Sequence, residues 1–361
     1  MEVDRPTPKL SDVELTRATL TQWFASQMPE ADHVAVTELE IPESNGMSNV
    51  TILFELTWRE QGEEHQRACV GRLEPENGGV VFPEYDLGLQ YQVMEAIGKN
   101  SDIPVPPLFG LELDTSIMGV PFYVMQRIEG VVPSDMPPYN MEGWMVDDTS
   151  PAQRRNLWLS SIDYMATLHR LDYQAMGLAN VEFKEPGETQ LQKQLAYWRR
   201  YMDWGMEGRE HLLAARALDW LEANQPVDEP VALCWGDARM GNVMFAPDYS
   251  GVNAMLDWEM VTLGNPVQDL AWWNHMDDTF ASGLGVPRLE GLPSYEDTLA
   301  HWEKASGFSG EHYDYYEVFA GMRYTLILSR LMLHMGIEEM IIDHHAAPLL
   351  ASMLDAQEAE I

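Results

Sequence analysis

The spacing of apolar residues in the first third of the chain predicts one helix, a set of strands and a second helix. Apolar positions at helical spacing predict a helix over 11–28, and Ser11 with Glu14 three residues later forms a capping box at its start. Short runs rich in β-branched and aromatic residues predict strands, with Gln61–Gly62 as a hairpin turn between two of them. The predicted strands cover 33–40, 49–59, 65–72, 108–113 and 121–127, and a helix over 84–98 lies between the third and the fourth.

The pattern becomes helical after Gly130. Ser150–Pro151 is an N-cap followed by proline at the first helical position, which marks the start of the first helix of this part. The exception is a stretch in which three short apolar runs predict strands around a polar loop: Val231–Trp235, Val243–Phe245 and Val252–Leu256. The predicted helices cover 151–171, 189–204, 210–223, 266–280, 294–306, 311–335 and 337–356.

Together these elements predict an α+β fold of two lobes. A small antiparallel, β-rich N-terminal lobe over 1–128 precedes a large, mainly helical C-terminal lobe over 129–361. At roughly 100–200 residues per domain, a chain of 361 residues accommodates two such lobes, each with its own core.

The charge balance narrows the functional classes. The chain has 22 Lys and Arg against 58 Asp and Glu, so its formal net charge is −36. Nucleic-acid binders neutralise phosphates with clustered basic residues, so this balance argues against a nucleic-acid partner. An apolar fraction of 45% and an aromatic fraction of 10% exclude a disordered acidic chain.

Cysteine usage and the lack of a long apolar segment indicate the compartment. Cys69 and Cys234 are the only cysteines, too few for a disulfide framework or a CxxC metal site, so we predict that both are small buried hydrophobes. The first residues have no basic stretch followed by an apolar one, and no run of 18 apolar residues occurs. These features predict a cytoplasmic protein, monomeric or homodimeric, with no membrane partner.

The segment 233–259 carries the strongest chemical signal. Asp237 and Asn242 are five residues apart, and Asp257 follows 15 residues later, which is the spacing of a protein-kinase catalytic loop and its metal-binding aspartate. Phosphoryl transfer needs one carboxylate at the acceptor hydroxyl, and an amide oxygen with a second carboxylate for Mg²⁺. We therefore predict Asp237 as the catalytic base and Asn242 and Asp257 as metal ligands, with Glu259 as a further ligand of the metal or of the acceptor. Arg239 is placed to meet the transferring phosphoryl group.

Three motifs carry a family resemblance: Trp-Gly-Asp-Ala-Arg-Met-Gly-Asn at 235–242, Leu-Asp-Trp-Glu at 256–259, and Leu-Gly-Asn-Pro-Val-Gln-Asp-Leu-Ala-Trp at 263–272. They resemble the aminoglycoside phosphotransferase and choline-kinase-like family, in the subset related to the kinase-like region of some acyl-CoA dehydrogenases. The resemblance implies a two-lobed protein-kinase-like fold that uses ATP and Mg²⁺ to phosphorylate a hydroxyl group. It also implies that Asp269 is structural and pins the catalytic-loop backbone.

The N-terminal lobe contains segments similar to the family's nucleotide site. The loop 46–51, which contains Ser48 and Asn49, is similar to the family's nucleotide loop. The segment 121–130, which contains Gln126 and Ile128, is similar to the family's hinge. Arg72 occupies the place of the family's basic residue that touches the α- and β-phosphates. Gln90 occupies the place of the acidic residue that usually pairs with that basic residue. The resemblance therefore implies that these six residues bind the nucleotide.

Three positions depart from the family pattern. Trp235 stands where the family has a packing histidine, Arg72 replaces lysine and still binds phosphate bidentately, and Gln90 brings no charge to Arg72. Either a carboxylate nearby replaces the missing one, or nucleotide binding is loosened. The candidates for that replacement are Glu84, Asp86 and Glu95. These departures motivate an alternative, a catalytically inactive kinase-like protein that binds a nucleotide or another ligand for regulation.

The acceptor is less well defined by the sequence. Six aromatic residues could line a pocket for a cation, although a buried core is their commoner role: Trp272, Trp273, Trp302, Tyr313, Tyr315 and Tyr316. The resemblance instead favours a hydroxylated metabolite over an aminoglycoside or a choline-like cation. A hydrolase that uses His344 and His345 as metal ligands does not fit, because neighbours on a helix point about 100° apart, and we predict a solvated helix end there.

Overall fold

The computed structural model describes residues 12–42, 48–75 and 80–359. The chain forms two compact units, the smaller made of Met1–Glu95 with Pro106–Ile128 and the larger of Ala96–Val105 with Glu129–Ile361. The segment Ala96–Val105 thus groups with the larger unit, although it precedes residue 128 in the chain.

The smaller unit is built on a five-stranded antiparallel sheet with the strand order β1-β2-β3-β5-β4. Strands β2 and β3 pair along their whole length, and Gln61 and Gly62 turn the chain between them with φ values of 51° and 87°. Two consecutive positive φ values give a turn whose twist matches that of the strands, as the sequence predicts. Its elements are α1 Val13–Gln27, β1 Asp32–Val36, β2 Val50–Glu60, β3 Glu63–Leu73, α2 Leu87–Asn100, β4 Leu108–Glu112, α3 Thr115–Met118 and β5 Phe122–Gln126, of which α2 continues into the larger unit.

One face of this sheet packs against α1. Alternate residues of β2 are buried, and they form one apolar cluster with Leu20, Trp23 and Phe24 of the helix. The carboxylate of Asp12 caps α1 by accepting a hydrogen bond from the backbone N–H of Leu15 at 2.9 Å. The N-cap is thus Asp12 and not Ser11, which lies outside the described residues.

The larger unit consists of helices and two small two-stranded sheets. Ser150 and Gln153 form a complete capping box at the start of its long helix α5. The sheets pair β6 with β9 and β7 with β8. Its elements are α4 Trp144–Asp147, α5 Pro151–His169, α6 Gln190–Met206, α7 Leu212–Ala223, β6 Ala232–Cys234, β7 Val243–Phe245, β8 Val252–Met255, β9 Thr262–Gly264, α8 Val267–Thr279, α9 Tyr295–Ser306, α10 Tyr313–His334 and α11 Ala347–Ala359. These two units confirm the predicted α+β fold class.

The aromatic residues of the helical unit form its core. Five of the six sequence candidates for a cation pocket are buried, and Tyr313 is half-buried with its hydroxyl accepting a hydrogen bond from Asn274 Nδ2 at 2.8 Å. The buried ones are Trp272, Trp273, Trp302, Tyr315 and Tyr316. Cys69 and Cys234 are free and buried, which confirms the sequence prediction. Within the described ranges, no helix has both the length and the apolar character that a membrane crossing requires.

The sequence prediction is wrong near the C-terminus. The predicted helix 337–356 is replaced by a short 3-10 turn at Glu338–Met340 and by α11, which begins only at Ala347. Gly336, with a φ of 69°, follows the end of α10, and Pro348 stands in the first turn of α11. Glycine after a helix and proline at a helix start both interrupt helical periodicity, and they outweigh the apolar spacing that suggested one helix.

His344 lies in this connection and is not on a solvated helix end. Its side chain is 2% exposed, and Nε2 lies 3.2 Å from both Ser329 Oγ and the Thr325 carbonyl oxygen of α10. Burial, and then the neighbouring His345 and His211, lower the pKa of His344 to about 4. The imidazole is therefore neutral in the folded protein at neutral pH.

The stabilising effect of this histidine is expected to depend on pH. Below the pKa that His344 has in the unfolded chain, the unfolded chain binds a proton that the folded chain does not bind until about pH 4. The free energy of unfolding therefore falls as pH falls through that window. His344→Asn lacks this titration. The difference in free energy of unfolding between wild type and variant should therefore shrink by about 2 kcal/mol between pH 7.5 and 5. Urea unfolding at the two pH values measures it, and a constant difference would contradict the prediction.

Candidate active site

The candidate catalytic loop runs from β6 to β7. Strand β6 pairs antiparallel with β9, and the chain then passes through Gly236 and Asp237 into a 3-10 turn at Met240–Asn242. Gly236 has a φ of 88°, and a Cβ atom there would lie 1.9 Å from the carbonyl oxygen of Met260. Only glycine allows this close approach, because any side chain would collide with backbone.

Asp269 fixes the start of this loop from the first turn of α8. It is completely buried, and its Oδ2 and Oδ1 accept hydrogen bonds from the backbone N–H groups of Trp235 at 2.6 Å and Gly236 at 2.9 Å. His169 Nε2 lies 3.0 Å from Oδ2, and His169 Nδ1 accepts a hydrogen bond from Trp302 Nε1 at 3.0 Å. Nε2 therefore carries the imidazole hydrogen and donates a hydrogen bond to Asp269. These contacts give Asp269 the structural role that the sequence resemblance implies.

A second set of contacts orients the carboxylate of Asp237. Trp272 Nε1 donates to Oδ1 at 2.8 Å, and Asn242 Nδ2 at 2.7 Å and Arg239 Nε at 3.0 Å donate to Oδ2. The Asp237 side chain is 13% exposed, so the carboxylate accepts these hydrogen bonds and still meets solvent. Held in this way, a carboxylate can accept a proton from a ligand hydroxyl without first changing rotamer.

Arg239 is bound between two carboxylates. Its Nε contacts Asp237, and its Nη1 lies 2.6 Å from Oδ2 of Asp135, a residue of the loop that follows Gly130. Burial by itself would lower the pKa of Arg239, but the carboxylates of Asp135 and Asp237 outweigh it and raise that pKa. The guanidinium is thus permanently charged and belongs to a network of charges beside the candidate base.

Arg323 supports the loop from α10. It is buried, donates from Nη2 to the Gly236 carbonyl oxygen at 2.7 Å, and lies over the Trp272 ring at 4.3 Å from the ring centre. Burial lowers the pKa of Arg323 to about 10, which leaves it protonated at neutral pH. The cation therefore fixes both the loop backbone and the indole that binds Asp237.

The sequence reasoning missed Asp135 and Arg323 as site residues, and it considered Trp272 for a cation pocket but not as a partner of Asp237. Trp272 is three residues after Asp269 on one helix, and that spacing could have placed both on one face. Arg323 stands in the middle of a largely apolar helix, seven residues before its second arginine, Arg330. Asp135 gives no such signal, because it is one acidic residue in a proline-rich loop of an acidic chain.

Strand pairing brings two of the predicted metal ligands to the same end of the β7–β8 hairpin. Val243 pairs with Met255, and beyond this pair the Leu256 N–H donates to the Asn242 carbonyl oxygen at 2.9 Å. Asp257 follows directly with a φ of 57°, a conformation that aspartate adopts more readily than most residues. Glu259 lies two residues further on and is half-buried.

Trp235 takes part in the same construction. It is fully buried, and its Nε1 donates to the Leu256 carbonyl oxygen at 2.9 Å, which ties the catalytic loop to the segment before Asp257. The indole thus supplies packing and a hydrogen bond at the position where the family has histidine.

A different group of potential ligands is already engaged in hydrogen bonds. The side-chain atoms of His169, Cys234 and Asp269 that could bind a metal ion lie within 4.8 Å of one another. Gln268 Nε2 donates to Cys234 Sγ at 3.0 Å, and burial, followed by the charge of Asp269, raises the pKa of the thiol well above its usual value. A protonated thiol is a poor metal ligand, so these side chains form a structural network.

The smaller unit carries the predicted nucleotide residues. Ser48 and Asn49 are buried and lead into β2, whose Val50 pairs with Leu73 next to Arg72. Arg72 Nη1 donates to Thr51 Oγ1 at 3.0 Å on the neighbouring strand. The sheet therefore places Arg72 beside the loop that ends at Asn49, while Gly46 of that loop lies outside the described residues.

The other predicted nucleotide residues lie on α2 and at the end of β5. Gln90 is buried on α2. Asp86 is one of the carboxylates that could replace the charge missing at Gln90. Its carboxylate caps α2 by accepting a hydrogen bond from the Leu89 N–H at 2.8 Å. Gln126 pairs with Cys69 at the end of β5, and the half-buried Ile128 is the last residue of the smaller unit.

Comparisons with known proteins place this geometry among phosphotransferases. The model of the phosphotransferase enzyme family matches residues 86–306. The acyl-CoA dehydrogenase IBR3 of Arabidopsis thaliana is 26% identical over 314 residues, which cover 80% of this chain and 36% of that protein. The chain thus spans about a third of the length of the curated relatives it matches.

Solved structures give the same result for the fold. The crystal structure of a proposed aminoglycoside phosphotransferase from Ralstonia eutropha JMP134 is 25% identical, with a TM-score of 0.66 over 93% of this chain and 95% of that one. The GDP complex of aminoglycoside 2'-phosphotransferase-IIIa is 13% identical, with a TM-score of 0.55 over 95% of this chain and 99% of that one. This similarity confirms the predicted two-lobed, protein-kinase-like fold.

Proposed function

The chain belongs to the phosphotransferase enzyme family, and on this premise we propose that it transfers the terminal phosphoryl group of ATP to a hydroxyl group of a small molecule. The observation that carries the proposal is the carboxylate of Asp237, oriented by Trp272, Asn242 and Arg239 yet open to solvent. In phosphoryl transfer the enzyme mainly positions the groups and stabilises charge, and a carboxylate at the acceptor hydroxyl is one of the recurring parts.

Asp237 is the proposed catalytic base. It accepts the proton of the acceptor hydroxyl as the oxygen attacks the terminal phosphorus in line, so no covalent phosphoenzyme forms. From the described residues Oδ1 receives one hydrogen bond and Oδ2 receives two, so Oδ1 is the oxygen proposed to accept the proton.

Asn242, Asp257 and Glu259 are the proposed ligands of Mg²⁺. The Asn242 amide group donates to both the carbonyl oxygen and Oδ2 of Asp237, so the side-chain oxygen is the atom that remains for a cation. One amide and two carboxylate groups fit the preference of Mg²⁺ for oxygen ligands. When bound, the cation would neutralise charge on the nucleotide phosphates.

The nucleotide is proposed to bind through the N-terminal lobe. Ser48, Asn49 and Arg72 would meet the phosphates, with Gln90 beside Arg72, and Gln126 and Ile128 would contact the base. Because the chain has a net charge of −36, long-range electrostatics oppose an anionic nucleotide, and Arg72 is a local cation that offsets this repulsion.

A hydroxylated metabolite is the proposed acceptor, in preference to an aminoglycoside or a choline-like cation. Cation recognition would use exposed aromatic faces, but Trp272, Trp273, Trp302, Tyr315 and Tyr316 are core residues. Their burial removes the main feature of the sequence that favoured a cationic acceptor.

A thermal-shift screen tests whether the site binds a metal nucleotide. ATP, GTP and ADP are each added with and without Mg²⁺, and ATP with Mg²⁺ is expected to raise the melting temperature most, because binding to the native state stabilises it. A shift by nucleotide that does not depend on Mg²⁺ would contradict the proposed metal ligands. No shift with any nucleotide would contradict the proposed function.

A further inference from the structure

We propose that Tyr324 is a specificity-determining residue that donates a hydrogen bond to a neutral oxygen of the acceptor, close to the hydroxyl group that contacts Asp237. The inference rests on the proposed function and narrows the acceptor to neutral compounds with several hydroxyl groups. Tyr324 lies on α10, directly after Arg323, which supports the catalytic loop. Its side chain is 7% exposed, so the fold covers most of it.

Four rings surround the phenol ring of Tyr324. Each of them meets it edge to face, with interplanar angles between 68° and 84° and ring centres 6.0 to 6.4 Å apart. Edge-to-face contacts of this kind are favourable between aromatic rings. The four rings belong to Trp272, His275, Phe280 and His345. The position of the phenol is thus set by side chains at α8 and in the segment before α11.

The hydroxyl group of Tyr324 makes no hydrogen bond within the described ranges and is not fully buried. Two other tyrosines of α10 use their hydroxyl groups in the fold. Tyr315 donates to the Leu221 carbonyl oxygen at 2.9 Å. Tyr316 donates to Glu229 Oε1 at 2.7 Å. A tyrosine in a protein interior usually finds a partner for its hydroxyl group, so the one at Tyr324 is available to a ligand.

Tyr324 and Asp237 contact the same indole. Trp272 donates from Nε1 to Asp237 Oδ1 at 2.8 Å, and its ring centre lies 6.1 Å from that of Tyr324. The charges of Asp135, Arg239 and Asp237 also act on this phenol. The hydroxyl group therefore lies beside the charged network that includes the proposed base. A small molecule whose hydroxyl group contacts Asp237 is thus brought close to Tyr324.

The surroundings of the phenol define what it can bind. Burial, and then the charge of Asp135, raise the pKa of Tyr324, so the group keeps its hydrogen and can donate it in a hydrogen bond. Two of the three charges that act on it are negative, so an anionic group would meet net repulsion there. A neutral oxygen, such as that of a second hydroxyl group, is the partner that suits this donor.

Tyr324→Phe tests the inference, because it removes only the hydroxyl group. Glycerol, hexoses and inositols are the probes, and their binding to wild type and variant is measured by ligand-observed NMR in the absence of nucleotide. We expect at least one of these polyols to bind wild type and to bind the variant about 10-fold more weakly, the scale of one lost hydrogen bond. No binding of any polyol to wild type would overturn the inference, and so would equal affinities for the two proteins.

Analogues that lack one hydroxyl group identify the oxygen that Tyr324 contacts. One monodeoxy analogue of the bound polyol should have affinities for wild type and Tyr324→Phe that agree within about twofold, because the contact is already missing. A loss of affinity in the variant that is the same for the parent polyol and for every analogue would overturn the inference.

Tyr315→Phe is the matched control. It makes the same chemical change on the same helix, but the hydroxyl group that it removes donates to the Leu221 carbonyl oxygen in the core. Its melting temperature should fall, and its affinity for the polyol should equal that of wild type. An equal loss of polyol affinity in this control would assign the effect to destabilisation of α10 and overturn the inference.

Steady-state kinetics separate this inference from the proposed function. For a polyol that is phosphorylated, Tyr324→Phe should raise the acceptor KM about 10-fold and leave kcat and the KM for MgATP within about twofold, the pattern of a lost binding contact. An unchanged acceptor KM would overturn the inference and leave the proposed function intact. Polyol binding that depends on Tyr324, in a protein that transfers no phosphoryl group, would contradict only the proposed function.

Discussion

Asp237→Asn is expected to lower kcat by about 10²-fold or more, because a positioned general base typically contributes 10²–10⁴. The amide preserves the shape of the side chain and one oxygen that can accept from Trp272 or Asn242, but it cannot take up the hydroxyl proton. The affinity for MgATP should stay nearly unchanged, since the nucleotide is proposed to bind through other residues. Steady-state kinetics on the acceptor and calorimetric titration with MgATP measure the two quantities separately.

Asp219→Asn provides the control for this substitution. Asp219 is an exposed residue of α7 that contacts Arg199 at 2.9 Å, so its replacement makes the same chemical change away from the catalytic loop. Its kcat should match that of wild type. If Asp237→Asn retained turnover within about threefold of wild type, Asp237 would not be the base.

Asp257→Ala is expected to abolish the part of the ATP-induced thermal shift that depends on Mg²⁺. Asp257 follows the β7–β8 hairpin next to Asn242 and is the main candidate for the carboxylate that holds the metal. Removing it leaves the amide of Asn242 and the carboxylate of Glu259 as the remaining proposed ligands. The shift produced by ATP without Mg²⁺ should persist, because it does not depend on metal ligands.

Asp248→Ala is the matched control on the same hairpin. Asp248 lies in the turn between β7 and β8, where its Oδ1 accepts from the Ser250 N–H at 3.1 Å. Its Mg²⁺-dependent shift is expected to equal that of wild type. A folded Asp257→Ala protein with an unchanged Mg²⁺-dependent shift would show that Asp257 only ends a strand.

The sequence predicts most of the fold because its signals are local. The turn at Gln61–Gly62 and the cap at Ser150 lie within a few residues of the elements they delimit. The failure at 337–356 has the same origin, since helical spacing alone does not show that Gly336 and Pro348 interrupt the helix. Strand β9 was missed because three residues carry too little pattern, and its identity depends on pairing with β6.

The candidate site was predictable only where its residues are close in sequence. Asp237, Asn242 and Asp257 lie in one segment whose spacing is chemically meaningful. Asp135 pairs with Arg239 across 104 residues, so the tertiary fold alone brings them together. Arg239, predicted to meet the transferring phosphoryl group, contacts the carboxylates of Asp135 and Asp237, and its contact with the phosphoryl group stays a prediction.

The most direct measurement of the central claim is phosphoryl transfer itself. The protein is incubated with Mg²⁺, ATP labelled in its terminal phosphoryl group and a library of hydroxylated metabolites, and phosphorylated products are identified by mass spectrometry. We predict a labelled phosphate ester from one class of hydroxyl compound, dependent on Mg²⁺ and nearly absent with Asp237→Asn. Nucleotide binding without any labelled ester across the library would contradict the account and favour a kinase-like protein that only binds its ligand.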